Sequence, residues 1–202
     1  GYYYKGGAVS MKQTETLVIG AGPGGYVAAI RAAQLGQQVT IVEAQHIGGV
    51  CLNVGCIPSK ALITAGHRYQ ESQHADFLGI QTKEVQLDFT KTQRWKDQQV
   101  VRPLTNGIRA LLTKNGVTIL EGKAVFLSSE MVEITTTKGK ERLSFQQAIL
   151  ATGSRPIDIP GFPFSDRILD STGGLNLKAL PKALVVIGGG YIGCELAGAY
   201  AN

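Results

Sequence analysis

The sequence predicts an α/β fold: a parallel sheet with helices and an inserted antiparallel meander, followed by the opening of a second unit of the same kind. Three observations predict it. A strand, glycine loop, helix and second strand follow one another near the start of the chain; the strand, loop and helix order returns near the end; and short alternating segments with turn residues lie between them.

Thr14 to Gly20 (TETLVIG) is a short apolar run that meets a glycine loop, and Gly24 to Leu35 (GGYVAAIRAAQL) has helical composition and spacing. Gly36 ends that helix. Val39 to Glu43 (VTIVE) reads as a second buried strand, so the three segments form a βαβ unit and predict a parallel sheet buried on both faces. The pattern is helical again from Gly55 to Gln73 and from Asp88 to Lys114, where Pro103 should kink or split the helix. Gly116 to Glu121 (GVTILE) returns to strand. Ala124 to Leu127, Met131 to Thr137 and Arg142 to Phe145 then read as the meander, and Ala148 to Ala151 as a final buried strand. Pro156, Pro160 and Pro163 punctuate an extended connector, after which Ala183 to Ile187 (ALVVI), a glycine loop and a helix from Tyr191 to Tyr200 repeat the opening order.

These elements divide the chain into a leader over 1–10, a first nucleotide-binding domain over 11–157, a connector over 158–182 and the beginning of a second such domain over 183–202. Gly1 to Ser10 is rich in Gly and Tyr, lacks apolar periodicity and precedes Met11, so a leader or tag is expected there. With 44% hydrophobic and 17% charged residues, the 202-residue chain can bury a sizeable core. It has no run of eighteen apolar residues and no secretory signal pattern, from which a soluble cytoplasmic protein with no membrane partner is expected. The net charge of +5 comes from scattered Lys and Arg mixed with acids, so no nucleic-acid partner is expected.

Gly20-Ala21-Gly22-Pro23-Gly24-Gly25 satisfies G-x-G-x-x-G with a strand before it and a helix after it. The first glycine allows the tight turn, the second lets backbone approach a pyrophosphate, and the third lets helix pack on strand. The helix start then holds phosphates through free N–H groups and its dipole. Glu43 ends the second strand, where an acid can accept hydrogen bonds from an adenosine ribose. The alternative is a glycine loop that serves packing alone. Gly188-Gly189-Gly190-Tyr191-Ile192-Gly193 is a second fingerprint, which implies a second dinucleotide.

Cys51 and Cys56 sit in Gly48-Gly49-Val50-Cys51-Leu52-Asn53-Val54-Gly55-Cys56-Ile57-Pro58-Ser59-Lys60. Residues five apart on a regular helix have Cα atoms about 8.7 Å apart, beyond the roughly 7 Å that a disulfide tolerates. A bond here would need a distorted turn, for which Gly55 supplies the freedom. Such a bond near a helix start would be readily reduced, because the dipole favours the thiolate. Two other readings stay open at this point: a zinc site, although His46, His67 and His74 give no recognised ligand spacing and Cys194 is far off in sequence, and a pair of free structural thiols. Lys60, taken by itself, reads as a surface lysine.

The segment Gly48 to Lys60 resembles the redox-active segment of the flavoprotein pyridine nucleotide-disulfide oxidoreductases, and in detail that of the dihydrolipoamide dehydrogenases. The resemblance extends from Thr14 to Asn202. It implies a Rossmann-like FAD-binding domain and the start of a Rossmann-like NAD-binding domain. It also implies that Gly20, Gly22, Pro23, Gly24, Gly25 and Gly49 approach FAD and that Glu43 binds its ribose. Backbone contacts to FAD are implied at Gly122 and at Ala151, Thr152, Gly153 and Ser154. The segment holding Gly188, Gly190 and Gly193 is assigned by resemblance to NAD.

By the same resemblance Cys51 exchanges with the substrate dithiol, Cys56 lies against the flavin, and Lys60 stands near it, paired with Glu195. Cys194 reads as a small core residue on the last helix. The implied reaction passes electrons from a dihydrolipoyl dithiol through a Cys51–Cys56 disulfide and FAD to NAD. Implied partners are dihydrolipoamide or a lipoyl domain, the core of a 2-oxo acid dehydrogenase complex, and a second copy in a homodimer. A mercuric reductase or another flavin disulfide reductase, and a non-catalytic FAD-binding module, are the competing readings. The family's His–Glu base pair has no match, so the chain by itself is expected not to turn over. The acid that separates NAD from NADP would fall beyond Asn202.

Overall fold

A computed structural model describes residues 11–202; the expected leader over 1–10 lies outside the described residues. The polypeptide divides into two compact units, each built from two stretches of chain. One comprises the described part of Gly1–Gly49 with Thr105–Gly153, the other Val50–Leu104 with Ser154–Asn202.

The first unit is built on a six-stranded sheet. Its elements in chain order are β1 (Met11–Ile19), α1 (Pro23–Gln34), β2 (Val39–Glu43), β3 (Thr118–Glu121), β4 (Lys123–Ser128), β5 (Met131–Thr136) and β6 (Gly139–Leu150). The strand order is β3-β2-β1-β6-β5-β4. β1 pairs in parallel with β2, from Thr16 opposite Val39 to Ile19 opposite Val42, and β2 with β3 from Thr40 opposite Thr118. β4, β5 and β6 form the expected antiparallel meander.

Two apolar clusters hold this unit. Val18, Ala21, Ala29, Val39, Ile41, Ile47, Leu112 and Val117 pack on one side. Leu17, Val42, Val132, Ile134, Leu143 and Phe145 form the other. Consecutive residues Leu17 and Val18 therefore serve opposite clusters, as alternation along a strand requires when both faces are covered. Burial on both faces holds for β2 and the centre of β1, but not for β3, whose ends are exposed.

The two strands expected at Arg142 to Phe145 and Ala148 to Ala151 are one twelve-residue strand, β6. Its first half, from Gly139 to Ser144, pairs antiparallel with β5, while from Arg142 onward it runs parallel to β1, from Arg142 opposite Met11 to Leu150 opposite Ile19. Beyond Ser144 one edge of β6 has no ladder partner among the described residues, so Ala148 to Leu150 are exposed rather than buried, with Leu150 64% accessible.

The second unit is helical. It contains most of α2 (Gly49–Val54), then α3 (Cys56–Gln73), α4 (Phe89–Trp95), a π-helical segment at Lys96–Val101, the start of α5 (Arg102–Lys114), α6 (Ser171–Leu175) and α7 (Tyr191–Ala201). The π segment directly precedes Pro103. Proline lacks an N–H to donate, and its ring crowds the carbonyl one turn back, so a widened turn is the local solution to the break expected there. Asp170 caps α6 by accepting from Gly173 N–H at 2.7 Å, a helix the connector reading did not foresee.

The carbonyls at the end of α6 are met by side chains from other helices. Lys96 is fully buried, and its ammonium donates to Leu175 O at 2.6 Å and Asn176 Oδ1 at 3.2 Å, with Asp97 Oδ1 at 3.3 Å. Burial holds this ammonium below its ordinary value, while Asp97 pulls the other way. Gln93 Nε2 donates to Leu175 O and Leu177 O, and Tyr200 Oη donates to Gly174 O at 2.5 Å.

Ala183 to Ile187 is not a strand. It makes no ladder among the described residues, and its side chains are exposed, Val185 at 85%. A strand exists only through its partner's hydrogen bonds, so an apolar run alone does not make one. The stretch Gly49–Gln73 is long and apolar enough, by length and composition, to cross a bilayer. It is broken at Gly55, however, and its Ser59 and Lys60 bond a carboxylate of α7, as a helix packed within a folded protein does.

Candidate functional site

The glycine loop of the first unit is tied down on every side. Gly20 has φ +101, a left-handed conformation that glycine adopts without steric cost. Gly20 N–H donates to Val42 O at 2.8 Å, and Ala151 N–H to Ile19 O at 2.8 Å. A Cβ at Gly20 would overlap the carbonyl of Ala151, and one at Gly25 would overlap the carbonyl of Gly20. Gly49 approaches as closely: a Cβ there would overlap Gly22 Cα. Gly22, the N-cap of α1, provides no side-chain cap. The first-turn N–H groups of α1, apart from Pro23 which has none, thus lack side-chain and intrahelical acceptors. A pyrophosphate fits this arrangement, since it takes bonds from such groups without needing side-chain space.

Glu43 is fixed by the same loop. Oε2 accepts from Ala21 N–H at 2.6 Å and Oε1 from Gln45 N–H at 2.9 Å. A carboxylate offers about four acceptor positions, so each oxygen keeps one for a ribose hydroxyl. Gly122 N–H donates to Glu43 O at 2.9 Å, and a Cβ at Gly122 would overlap Thr135 O, so this glycine packs the turn beside the acid. The structure thus brings together Gly20, Gly22, Pro23, Gly24, Gly25, Glu43, Gly49, Gly122 and Ala151, with Thr152 and Gly153 following on. Ser154 is exposed at the start of a segment of the other unit. The bond from Ala21 to Glu43 carries no sequence signal, because any residue can supply a backbone N–H.

The second fingerprint repeats the first in backbone detail. Gly188 has φ +108, and a Cβ at Gly193 would stand 2.5 Å from Gly188 O, the relation that Gly25 has to Gly20. Gly190 caps α7 at φ −72, ψ 169, close to Gly22 at φ −76, ψ −175. Cys194 N–H donates to Gly190 O as Tyr26 N–H does to Gly22 O, at 3.0 and 2.9 Å. The surroundings differ: nothing lies within 4 Å of a Cβ at Gly188, Gly189 or Gly190. Cys194 is exposed rather than a core residue. Its thiol donates to Gly189 O at 3.5 Å, because the N-terminal turn of α7 that carries it leaves Tyr191, Ile192 and Cys194 all exposed.

Cys51 on α2 and Cys56 at the first position of α3 are separated by Gly55, at which the two helices break. A Cβ at Gly55 would stand 2.8 Å from Val50 O and 3.0 Å from Cys51 Cα, so glycine lets the chain fold back on the preceding turn. That fold sets Cys51 and Cys56 close enough to interact, both as free cysteines. Burial pushes the Cys51 thiol above its ordinary value and the contact with Cys56 adds to this, while the Cys56 backbone N–H and the charge of Lys60 act in the opposite direction. Among the described residues, no group of three or more His, Cys, Asp or Glu could hold a metal ion, so the zinc reading finds no ligand set.

Lys60 is not an isolated surface lysine. Its Nζ donates to both oxygens of Glu195, at 2.8 and 2.7 Å, and Ser59 Oγ donates to Glu195 Oε2 at 2.9 Å. The hydrogen bond to Glu195 holds the Lys60 ammonium above its ordinary value. Lys60, then Ser59, holds the Glu195 carboxyl below the ordinary carboxylate range. Cys51, Cys56, Lys60 and Glu195 thus stand in one compact unit. Sequence reasoning missed Ser59, because a serine in a helix's first turn ordinarily reads as local capping.

The family model described as pyridine nucleotide-disulphide oxidoreductase matches residues 14–202. The chain belongs to this family. Among curated relatives, a dihydrolipoyl dehydrogenase from Geobacillus stearothermophilus and one from Bacillus subtilis are each 60% identical over 190 residues, 94% of this chain. One from Halobacterium salinarum is 47% identical over 193 residues. The chain spans about 40% of the length of these relatives. A solved copper(II) complex of the HOCl-induced flavoprotein disulfide reductase RclA from Escherichia coli aligns with a TM-score of 0.81 at 28% identity, covering 95% of this chain and 40% of that one.

Proposed function

We propose that this chain carries the FAD-binding and thiol-bearing part of a dihydrolipoyl dehydrogenase. The observation that carries the reading is the Cys51 and Cys56 thiol pair at the helix break, backed by the Lys60–Glu195 ion pair. The names of the 60%-identical relatives support the substrate class.

In the forward direction a dihydrolipoyl dithiol attacks the oxidised pair. A sulfur of the substrate forms a mixed disulfide with Cys51 as the Cys51–Cys56 bond breaks, and the second substrate sulfur then displaces Cys51. The products are a cyclic lipoyl disulfide and the reduced pair, so two electrons and two protons have moved. Gly55 allows both sulfurs to meet, and Lys60 offsets charge when either becomes a thiolate. Close backbone packing at Gly20, Gly25 and Gly49 shapes the loop whose first-turn N–H groups on α1 would hold the FAD pyrophosphate, and Glu43 would hold its ribose. FAD held there would supply the two-electron chemistry that links the reduced pair to a nicotinamide. Gly188, Gly190 and Gly193 supply the second loop, for NAD. The reading extends to a cytoplasmic homodimer that serves the core of a 2-oxo acid dehydrogenase complex.

The test is turnover by the protein at its relatives' length. Dihydrolipoamide should drive NAD reduction, and Cys56→Ser should abolish it. Absence of lipoamide-dependent turnover, alongside reduction of mercuric ion or another disulfide, would overturn the substrate assignment.

A further inference from the structure

We propose that Ser59 is a positioning residue: its hydroxyl fixes the carboxylate of Glu195 and, through it, holds in place the Lys60 ammonium, which stands one helical turn after Cys56 on α3. The inference rests on reading that thiol pair as reactive.

An ion pair as exposed as Lys60 with Glu195 is ordinarily loose. Two flexible side chains gain little in water and have many alternative geometries, so most such pairs contribute little. The side chains here are 56% and 31% accessible. Ser59 differs, being buried in the first turn of α3, where its own N–H donates to Gly55 O at 3.0 Å. Its short side chain has only one rotor to order, and its hydroxyl bonds the same Oε2 that accepts from Lys60. The carboxylate is thereby gripped from a rigid point, and the two-pronged contact from Lys60 follows its orientation. Ser59 stands three residues after Cys56, on the same turn, so the anchor and the thiol it serves share one short stretch of backbone. Removing the hydroxyl leaves the ion pair chemically possible but free to swing away, which weakens the field that stabilises a thiolate at the pair.

The experiment measures the alkylation rate of the reduced full chain by iodoacetamide at pH 7, read by mass spectrometry on the peptide that carries Cys51 and Cys56, so that Cys194 does not interfere. Ser59→Ala removes the hydroxyl, Ser59→Thr restores it, and each is combined with Lys60→Gln. The expected result is a rate about threefold lower in Ser59→Ala, of the order an oriented nearby charge confers. It is recovered in Ser59→Thr, and no further loss occurs when Ser59→Ala is added to Lys60→Gln. An unchanged rate in Ser59→Ala overturns the proposal. So does an equal loss with and without Lys60, which would mark a structural role alone. Neither outcome touches the lipoamide assignment, because no flavin or turnover enters the measurement.

Discussion

Gly25→Ala and Gly193→Ala place the same methyl group at equivalent positions of two nearly identical loops, yet their effects should differ. At Gly25 the added Cβ would overlap the Gly20 carbonyl. That carbonyl cannot retreat, because Gly20 is bonded to Val42 and its neighbours Ile19 and Ala21 are bonded to Ala151 and Gly48. Forcing a methyl into such a contact costs about 3 kcal/mol, the upper end for overpacking. Alanine returns about 1 kcal/mol of helix propensity. The net loss is therefore about 2 kcal/mol, or a fall in Tm of roughly 4–8 °C at this chain length. At Gly193 the same methyl meets Gly188 O at 2.5 Å and Val186 Cγ1 at 3.0 Å, but both belong to an unpaired, exposed stretch that can shift. The gain in propensity then offsets the contact, and Tm should move by less than about 2 °C. Thermal unfolding followed by circular dichroism distinguishes the two. Equal losses, or no loss at Gly25, would refute the argument that rigidity of the surrounding sheet sets the cost.

The helical unit offers three further tests. Lys96→Met keeps the buried stem but removes the donor to Leu175 O and Asn176 Oδ1; allowing for relief from burying a charge, it should cost about 1–2 kcal/mol in urea unfolding, and an unchanged midpoint would mean the lysine is merely tolerated. Burial pushes the Tyr200 hydroxyl up to about 12. Its stabilising share is then complete below the unfolded tyrosine value of about 10 and lost as pH rises through the folded one; Tyr200→Phe should flatten that alkaline limb in denaturation midpoints measured against pH. Backbone amides of 184–187 should exchange as fast as an unprotected peptide, and strong protection in a monomer would contradict the absence of a ladder.

Much of the first unit was legible because its residues obey local rules. TETLVIG and VTIVE mark strands by apolar content, and two G-x-G-x-x-G loops mark the turns that follow strands. What failed depended on partners that a sequence window does not contain. Ala148 to Leu150 and Ala183 to Ile187 carry equally good strand composition, yet the first merged into β6 and lost cover on one edge, and the second found no ladder at all. Pro103 announced a break but not its form, since the π segment accommodates the proline ahead of it. At the thiol site the cysteine spacing and Gly55 were readable. Ser59 was not, because its partner Glu195 lies on a different helix far along the chain.

The central claim is that Cys56 belongs to a thiol pair serving a bound flavin, and an absorption spectrum tests it most directly. The purified protein, supplied with FAD and freed of excess, is recorded oxidised and again after one equivalent of dithiol. Flavin bands, with a long-wavelength band that arises on reduction and is lost in Cys56→Ser, are the predicted result. Bound flavin whose spectrum shows no such band after the pair has been reduced would contradict the account.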